Sequence, residues 1–320
     1  VAIRAAMPYI QRFAHMPLTG TTGFDLYVDT DGGASLGANA IEVSGSGTLT
    51  FSTALGSWTG DLTVKPGAKV RAICGVTSAV LGNAATGAVR VESGAALVND
   101  YSTHVGSYAD EITRPIHIAG DGQAAGEHGA LKLIVNNSSF RAAVPMSLFL
   151  DDDATVCFGS ANPSWSQDHQ VIMDCGETWN LGGHVLTLSK AGWTKTSTPT
   201  FFYGANVKGG GHVVQDGVIA LFRNAAFEGG AENTFTFRNG AYGWMQGFTP
   251  PAWTLKVEDT ASGKWNWGLS QNWSLTTAGL RTWAGPVEIA QTVDMTDTTD
   301  FDNVYGFAGK VTGAGGLVVG

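Results

Sequence analysis

The feature that most constrains the fold is a short segment that recurs along the chain. In it, apolar residues alternate with polar ones, a glycine follows, and a second alternating run begins; the best copies are Leu62–Val70 and Val89–Leu97. Alternation with a period of two places the apolar side chains on one face of a β-strand. The glycine lies where the backbone turns with a positive φ, which residues with a Cβ avoid. The segment therefore predicts two short strands joined by a tight corner.

Copies of this segment continue to the end of the chain. The looser ones are Leu148–Val156, with Asp153 at the corner, Phe235–Ala241 and Leu255–Ala261, and a related form occurs at Val43–Phe51, Val207–Val213 and Val311–Val319. One copy cannot bury its apolar side chains, whereas stacked copies form a continuous core. The predicted fold is therefore all-β: a parallel β-helix (solenoid) with loop insertions. A β-sandwich built from hairpins is the alternative.

Composition agrees with this class and excludes others. Glycine contributes 44 of the 320 residues, which is about twice its usual share. The net charge is −9 and the 18 Lys and Arg residues are dispersed, so no basic cluster is available to bind nucleic acid. No apolar run approaches the length of about 18 residues that a transmembrane helix requires.

The repeats also suggest how the chain is organised. Residues 1–40 are expected to lead into or cap the repeat domain, and residues 41–320 are expected to form it, with insertions near 100–129 and 160–174. The last residues, Gly315–Gly320, read as the middle of a strand. We therefore expect the domain to continue beyond the C-terminus as part of a longer polypeptide.

The window Val43–Val70 resembles the autotransporter-associated β-strand repeat (passenger-associated transport repeat) of bacterial surface proteins. The residues that carry the resemblance are Gly45, Gly47, Leu49, Gly60, Leu62, Val64, Gly67 and Ala68. The resemblance implies a right-handed parallel β-helix in a long modular protein that is extracellular or on the cell surface. Its implied partners are other copies or flanking segments of that protein. The repeat itself has no catalytic residues to transfer.

Tryptophans are concentrated in the second half, and Trp265, Trp267 and Trp273 lie closest together. Residues two apart share one face of a strand, so exposed indoles there, with Asn266 as a hydrogen-bond partner, are a candidate carbohydrate-binding surface. The alternative is that these rings fill the core of the solenoid, since large aromatic side chains are mostly buried.

Acidic residues form the second candidate site. Asp151 and Asp152 follow a predicted strand, and Asp174 lies about one coil later. Adjacent coils would bring their oxygens together as ligands for Ca²⁺, and a pair of such acids would also suit glycoside cleavage. The alternative is a set of solvated acids, with Asp153 at a structural corner. No other cofactor is expected.

The three cysteines, Cys74, Cys157 and Cys175, lack the spacing of a metal site. Cys157 and Cys175 are about one coil apart, so the spacing allows either a disulfide between them or separate buried thiols.

These observations favour a non-enzymatic structural or adhesin segment of a longer bacterial protein, with open coil edges that would allow self-assembly. The alternative function is that of a polysaccharide-binding or polysaccharide-degrading β-helix, acting as a lyase or a glycoside hydrolase. The tryptophans and acids support it, but no set of nucleophile, base and acid residues is evident.

Overall fold

The structure is a computed structural model. It describes residues 25–28, 38, 40–52, 58–73, 80–82, 87–101, 114–135, 141–142, 147–160, 172–173, 178–191, 200–202, 206–223, 226–246, 252–258, 281–290, 292–294 and 305–318.

The described residues form β-strands and one turn of 3-10 helix, Gln123–Ala125. The strands are β1 (Asp25–Val28), β2 (Ile41–Val43), β3 (Thr48–Phe51), β4 (Leu62–Val64), β5 (Lys69–Ile73), β6 (Val89–Val91), β7 (Ala96–Tyr101), β8 (Ile116–Gly120), β9 (Leu131–Val135), β10 (Arg141–Ala142), β11 (Leu148–Ser160), β12 (Ile172–Met173), β13 (Thr178–Asn180), β14 (Val185–Ser189), β15 (Thr200–Phe202), β16 (Asn206–Lys208), β17 (His212–Asp216), β18 (Ile219–Arg223), β19 (Ala226–Phe227), β20 (Thr234–Arg238), β21 (Tyr242–Gln246), β22 (Thr254–Val257), β23 (Arg281–Trp283), β24 (Val287–Ile289), β25 (Val293–Asp294), β26 (Tyr305–Phe307), β27 (Val311–Thr312) and β28 (Leu317–Val318).

Every strand pairing within the described residues is parallel. The first stack contains β2, β4, β6, β8, the start of β11, β13, β16 and β19, and the second contains β1, β3, β5, β7, β9, the end of β11, β14, β17, β20, β22, β24 and β27. β15, β18 and β21 form a third, shorter stack, in which β18 pairs with the other two strands. Three two-stranded sheets pair β10 with β12, β23 with β26, and β25 with β28. The chain is thus a parallel β-solenoid. The β-sandwich alternative is wrong, because hairpins pair antiparallel.

The core is a set of apolar ladders that run from coil to coil. Leu62 lies beside Val89 and Val89 lies beside Ile116 in the first stack, and all three are fully buried. Each such side chain contributes roughly 1.5–3 kcal/mol on transfer from water. Because the strand alternates, the residues between them face outward, as Arg90 does in β6. The predicted period of two is therefore the period that builds the core.

Glycine corners join the first stack to the second in the best repeat copies. Gly67 has a φ of 81° and Gly94 a φ of 82°, as the repeat predicts. The corner predicted at Asp153 is wrong: β11 continues through it, and only a register shift separates Leu150 from Ala154. The physical reason is that consecutive exposed aspartates span the gap in an extended bulge, so that no left-handed residue is needed.

The coil before β11 takes a longer path at the same corner. Its strands β8 and β9 pair with the two ends of β11, and residues 121–130 loop out between them. Residues 121–129 of this excursion fall in the stretch near 100–129 where an insertion is predicted. At the other end of the chain, β1 pairs with β3. The second stack therefore already includes Asp25–Val28, upstream of residue 41.

Candidate functional site

The continuous strand β11 places Asp151, Asp152 and Asp153 on the surface between the first and second stacks; we call these three residues the aspartate bridge. Asp151 Oδ1 lies 2.8 Å from His117 Nδ1 on the preceding coil, and its Oδ2 lies 3.6 Å from Arg90 Nη1. The His117 ring stacks on Phe149 with centroids 4.8 Å apart. Asp151 is therefore engaged by cationic or hydrogen-bonding groups of the two coils before it.

The other two carboxylates of the aspartate bridge face the following coil. His184 Nδ1 lies 3.9 Å from Asp152 Oδ1 and 3.8 Å from Asp153 Oδ1. One ligand atom from each of the three residues fits within 4.8 Å of the others. Asp153 Oδ1 also accepts a hydrogen bond of 2.8 Å from the Val185 main-chain N–H, which fixes that carboxylate beside His184. The corner therefore brings two carboxylates and one imidazole together.

This donor set differs from the predicted one of Asp151, Asp152 and Asp174. Asp152 belongs to it, Asp151 is held by His117, and Asp174 lies outside the described residues. Sequence reasoning missed His184, and the signal for it was the corner Gly182-Gly183 directly before it, one coil after Asp153. Corners of successive coils lie side by side in a solenoid, so residues that flank them become neighbours.

The chemistry of the donors favours one class of ion over another. An imidazole with two carboxylates suits a borderline divalent cation such as Zn²⁺, whereas Ca²⁺ takes six to eight oxygen ligands. The side chains of Asp152 and Asp153 are 69 % and 67 % exposed, so water would fill the remaining positions. Metal binding at the aspartate bridge stays a prediction.

Two other tryptophans of the second half of the chain, Trp253 and Trp283, lie in the core. Trp253 and Trp283 are fully buried, and each indole N–H donates to a main-chain oxygen of the preceding coil, Trp253 to Glu228 at 2.9 Å and Trp283 to Trp253 at 2.8 Å. Core packing therefore accounts for these two rings. The predicted carbohydrate-binding residues Trp265, Asn266, Trp267 and Trp273 lie outside the described residues.

Cys157 is a free, fully buried thiol. Burial raises its pKa to about 12, so it is protonated and unreactive in the folded protein. Its candidate partner Cys175 lies outside the described residues.

In the described part of the chain, two carboxyl groups have a shifted pKa, Glu127 and Glu232, and in both the pKa is lowered. Burial alone would raise the pKa of Glu127, but hydrogen bonds and charges from Lys132 and Lys69 outweigh burial and lower it. The main-chain N–H of Gly230 lowers the pKa of Glu232. A general acid in glycoside cleavage needs the opposite shift.

Comparison of the chain with protein-family models, with curated proteins and with solved structures found no match. The resemblance to the autotransporter-associated repeat therefore stays a prediction. Among the described residues, no helix has the length and apolar character needed to cross a membrane.

Proposed function

We propose that this chain is a non-enzymatic structural segment, a stalk or adhesin segment, of a longer extracellular or cell-surface bacterial protein. The observation that carries the proposal is the unbroken second stack, in which each coil from β1 to β27 is paired in parallel with the next. A rod of this kind needs no separate domain interface, since each coil buries the apolar face of its neighbour. Flanking segments or other copies of the protein are the partners that it would contact.

Polar contacts between coils support a structural role. Arg71 on β5 bonds the fully buried carboxylate of Asp100 on β7 with its Nε at 2.7 Å. Lys65 Nζ lies 2.6 Å from Glu92 Oε1 and 3.7 Å from Glu42 Oε2, so that it joins three coils. Contacts that cross coil boundaries resist separation of the coils along the rod.

The lowered pKa of Glu127 and Glu232 also favours a structural over a catalytic use of these acids.

The test measures the shape of the protein and its activity on polysaccharides in the same preparation. Small-angle scattering should give an elongated monomer or a longer end-to-end assembly, and a panel of polysaccharides incubated with the protein should yield no new reducing ends or unsaturated uronates. Product release above that of a heat-denatured control would overturn the proposal. A compact particle would contradict the rod.

Polysaccharide binding without cleavage is a second candidate, which one specific observation favours. Arg90, His117, Phe149 and Asn180 lie in register on neighbouring strands of the first stack and form what we call the outer row. The rings of His117 and Phe149 stack at an interplanar angle of 12°. The aromatic rings offer a flat apolar surface for the face of a sugar ring. The guanidinium and amide groups beside them offer hydrogen-bond partners for its hydroxyl groups.

A pull-down on the same panel separates this candidate from the Trp265 prediction. Retention that is lost in His117→Ala and Phe149→Ser, but kept in Trp265→Ala, places binding on the outer row. Thr187→Ala, which alters an outward-facing strand position of the second stack, is the matched control. Retention that survives both outer-row variants would remove this candidate.

A further inference from the structure

The turn between β20 and β21 has an unusual backbone. Asn239 has a φ of 55°, and it is the one residue other than glycine with a positive φ in the described part of the chain. Gly240 follows with a φ of 78°, and the turn is closed by a hydrogen bond of 3.1 Å from the Ala241 N–H to the Arg238 carbonyl. Asn239 is exposed to solvent. β20 is thus followed by an exposed, left-handed Asn-Gly turn.

The side chain of Asn239 is tied to the preceding coil. Its Nδ2 donates to Asp216 Oδ1 at 2.5 Å, and Arg238 Nη2 donates to the other oxygen of Asp216 at 3.1 Å. A main-chain hydrogen bond of 3.0 Å from Gly217 to Arg238 joins the same two coils. The Asp216 carboxylate therefore accepts from one amide and one guanidinium of the Asn239 turn.

We propose that Asn239 is a modification site, which converts to aspartate and isoaspartate by intramolecular deamidation. The main-chain nitrogen of Gly240 attacks the side-chain carbonyl carbon of Asn239, a C–N bond forms, and the side-chain nitrogen leaves as ammonia with the proton that the main-chain nitrogen gives up. Water then opens the resulting cyclic imide at either carbonyl. Glycine permits this attack because it has no Cβ to obstruct its nitrogen and it enters the conformations that the ring requires.

The surroundings give the conversion a structural consequence. A carboxylate at position 239 would face Asp216 in place of the amide that donates to it, so that a hydrogen bond is replaced by repulsion between like charges. Isoaspartate also adds a methylene to the main chain of a turn closed by a single hydrogen bond. Both products therefore weaken the contact between β17 and the β20–β21 turn.

The test follows the intact chain over time by peptide mapping. The folded protein is incubated at mildly alkaline pH and digested, and the aspartyl and isoaspartyl forms of each asparagine peptide are quantified. The expected result is that the Asn239 peptide converts first. Asn206, which is exposed on β16 but followed by Val207, is the internal control and should stay unconverted over the same period. The aspartyl and isoaspartyl forms of this peptide should be absent from the Asn239→Ser variant.

Two outcomes would overturn the inference. One is an Asn239 peptide that converts no faster than the Asn206 peptide in the folded protein while it converts readily in the urea-unfolded chain, because the turn would then protect the amide. The other is an Asn239→Asp variant that melts at the same temperature as an Asn206→Asp variant, because the charge would then have no effect on the Asp216 contact. A lower melting temperature for Asn239→Asp is the expected result.

Discussion

At the scale of single residues, the solenoid is tied together by polar side chains that reach between coils. Arg114 is fully buried, and its guanidinium donates to the main-chain oxygens of Gly60, Leu81 and Gly87. It also lies over the Trp58 ring, 4.5 Å from the centroid. Burial lowers its pKa, but a guanidinium remains charged at neutral pH. Carbonyls that face the core at a corner need such a donor.

Replacement of Arg114 by Met should destabilise the protein strongly. Met keeps apolar contact with Trp58 but leaves buried carbonyls without a donor, each of which costs roughly 1–3 kcal/mol. We expect a loss of about 3 kcal/mol in the free energy of unfolding by urea titration. Arg90→Met, which removes an exposed ion pair with Asp151, is the control and should cost about 0–1 kcal/mol. Equal losses in both variants would contradict the role of Arg114.

Glu127 should make part of the stability depend on pH. Its pKa lies below the usual value of 4.5 in the folded protein, because Lys69 and Lys132 favour the charged form. A lowered folded pKa gives a stabilisation that is complete above the unfolded pKa and is lost as the pH falls through the folded pKa. The difference in melting temperature between wild type and Glu127→Gln should therefore be large at neutral pH and shrink as the pH falls below the usual value of 4.5 and through the lower folded pKa. A difference that stays constant over this range would assign the effect to packing alone.

At the scale of elements, corners decide where each strand begins. The corners differ in whether the surrounding atoms leave room for a side chain. The excursion between β8 and β9 contains Gly122 and Gly126, with φ values of 71° and 74°. A Cβ on Gly122 would lie 2.2 Å from the Gly129 oxygen, whereas a Cβ on Gly126 would meet nothing within 4 Å. The excursion is also anchored by Glu127, whose side chain is 10 % exposed between two lysines.

These two glycines form a matched pair for mutation. Gly126→Ala should cost only the left-handed strain of an alanine, about 1–2 kcal/mol. Gly122→Ala adds a collision with the backbone and should cost clearly more. Urea titration of both variants provides the comparison. If the order of the two losses is reversed, the corner geometry described for this excursion is incorrect.

The aspartate bridge is the element whose metal chemistry is open to a direct test. A divalent cation that binds only the folded state raises the melting temperature in proportion to the logarithm of its concentration. We expect Zn²⁺ to do so more than Ca²⁺, and the rise to be lost in His184→Ala and Asp153→Asn. His212→Ala, one coil further on, should leave it intact. No difference between the metals, or an effect that survives both variants, would remove the site.

At the scale of the whole molecule, stability should vary along the solenoid because each coil contacts only its neighbours. β17 is paired on both sides, with β14 and β20, and Val213 within it is fully buried. β27 is paired only with β24 among the described strands, and Val311 is 41 % exposed although it continues the ladder of Leu255 and Val287.

Hydrogen exchange followed by mass spectrometry should detect this gradient. Amides of β17 require several coils to separate before they exchange, whereas those of β27 require only local opening. We expect β17 peptides to remain protected long after β27 peptides have exchanged. Equal protection would mean that the solenoid opens as one cooperative unit.

Much of the fold follows from local pattern, and the site does not. Leu62–Val70 predicts two strands and a glycine corner, and β4, Gly67 and β5 match it. Asp153 marks where this reasoning fails, because three polar residues can also cross a corner in extended form. The proximity of His184 to Asp152 and Asp153 depends on how many residues the coil between them contains. A local sequence pattern does not give that number, so the sequence alone could not place the three side chains together.

The sequence by itself determined the period of the strands, the positions of several corners and hence the all-β class, because alternation and positive φ are local properties of a few residues. Only the tertiary structure decided which stack each copy joins. Leu62–Val70 turns from the first stack to the second, whereas the equivalent corner of Phe235–Ala241 turns from the second toward the third. The physical reason is that the stacking register depends on the length of each coil and on the core side chains of its neighbours. It is this register that brings His184 to the aspartate bridge and Arg114 to the carbonyls of three different segments.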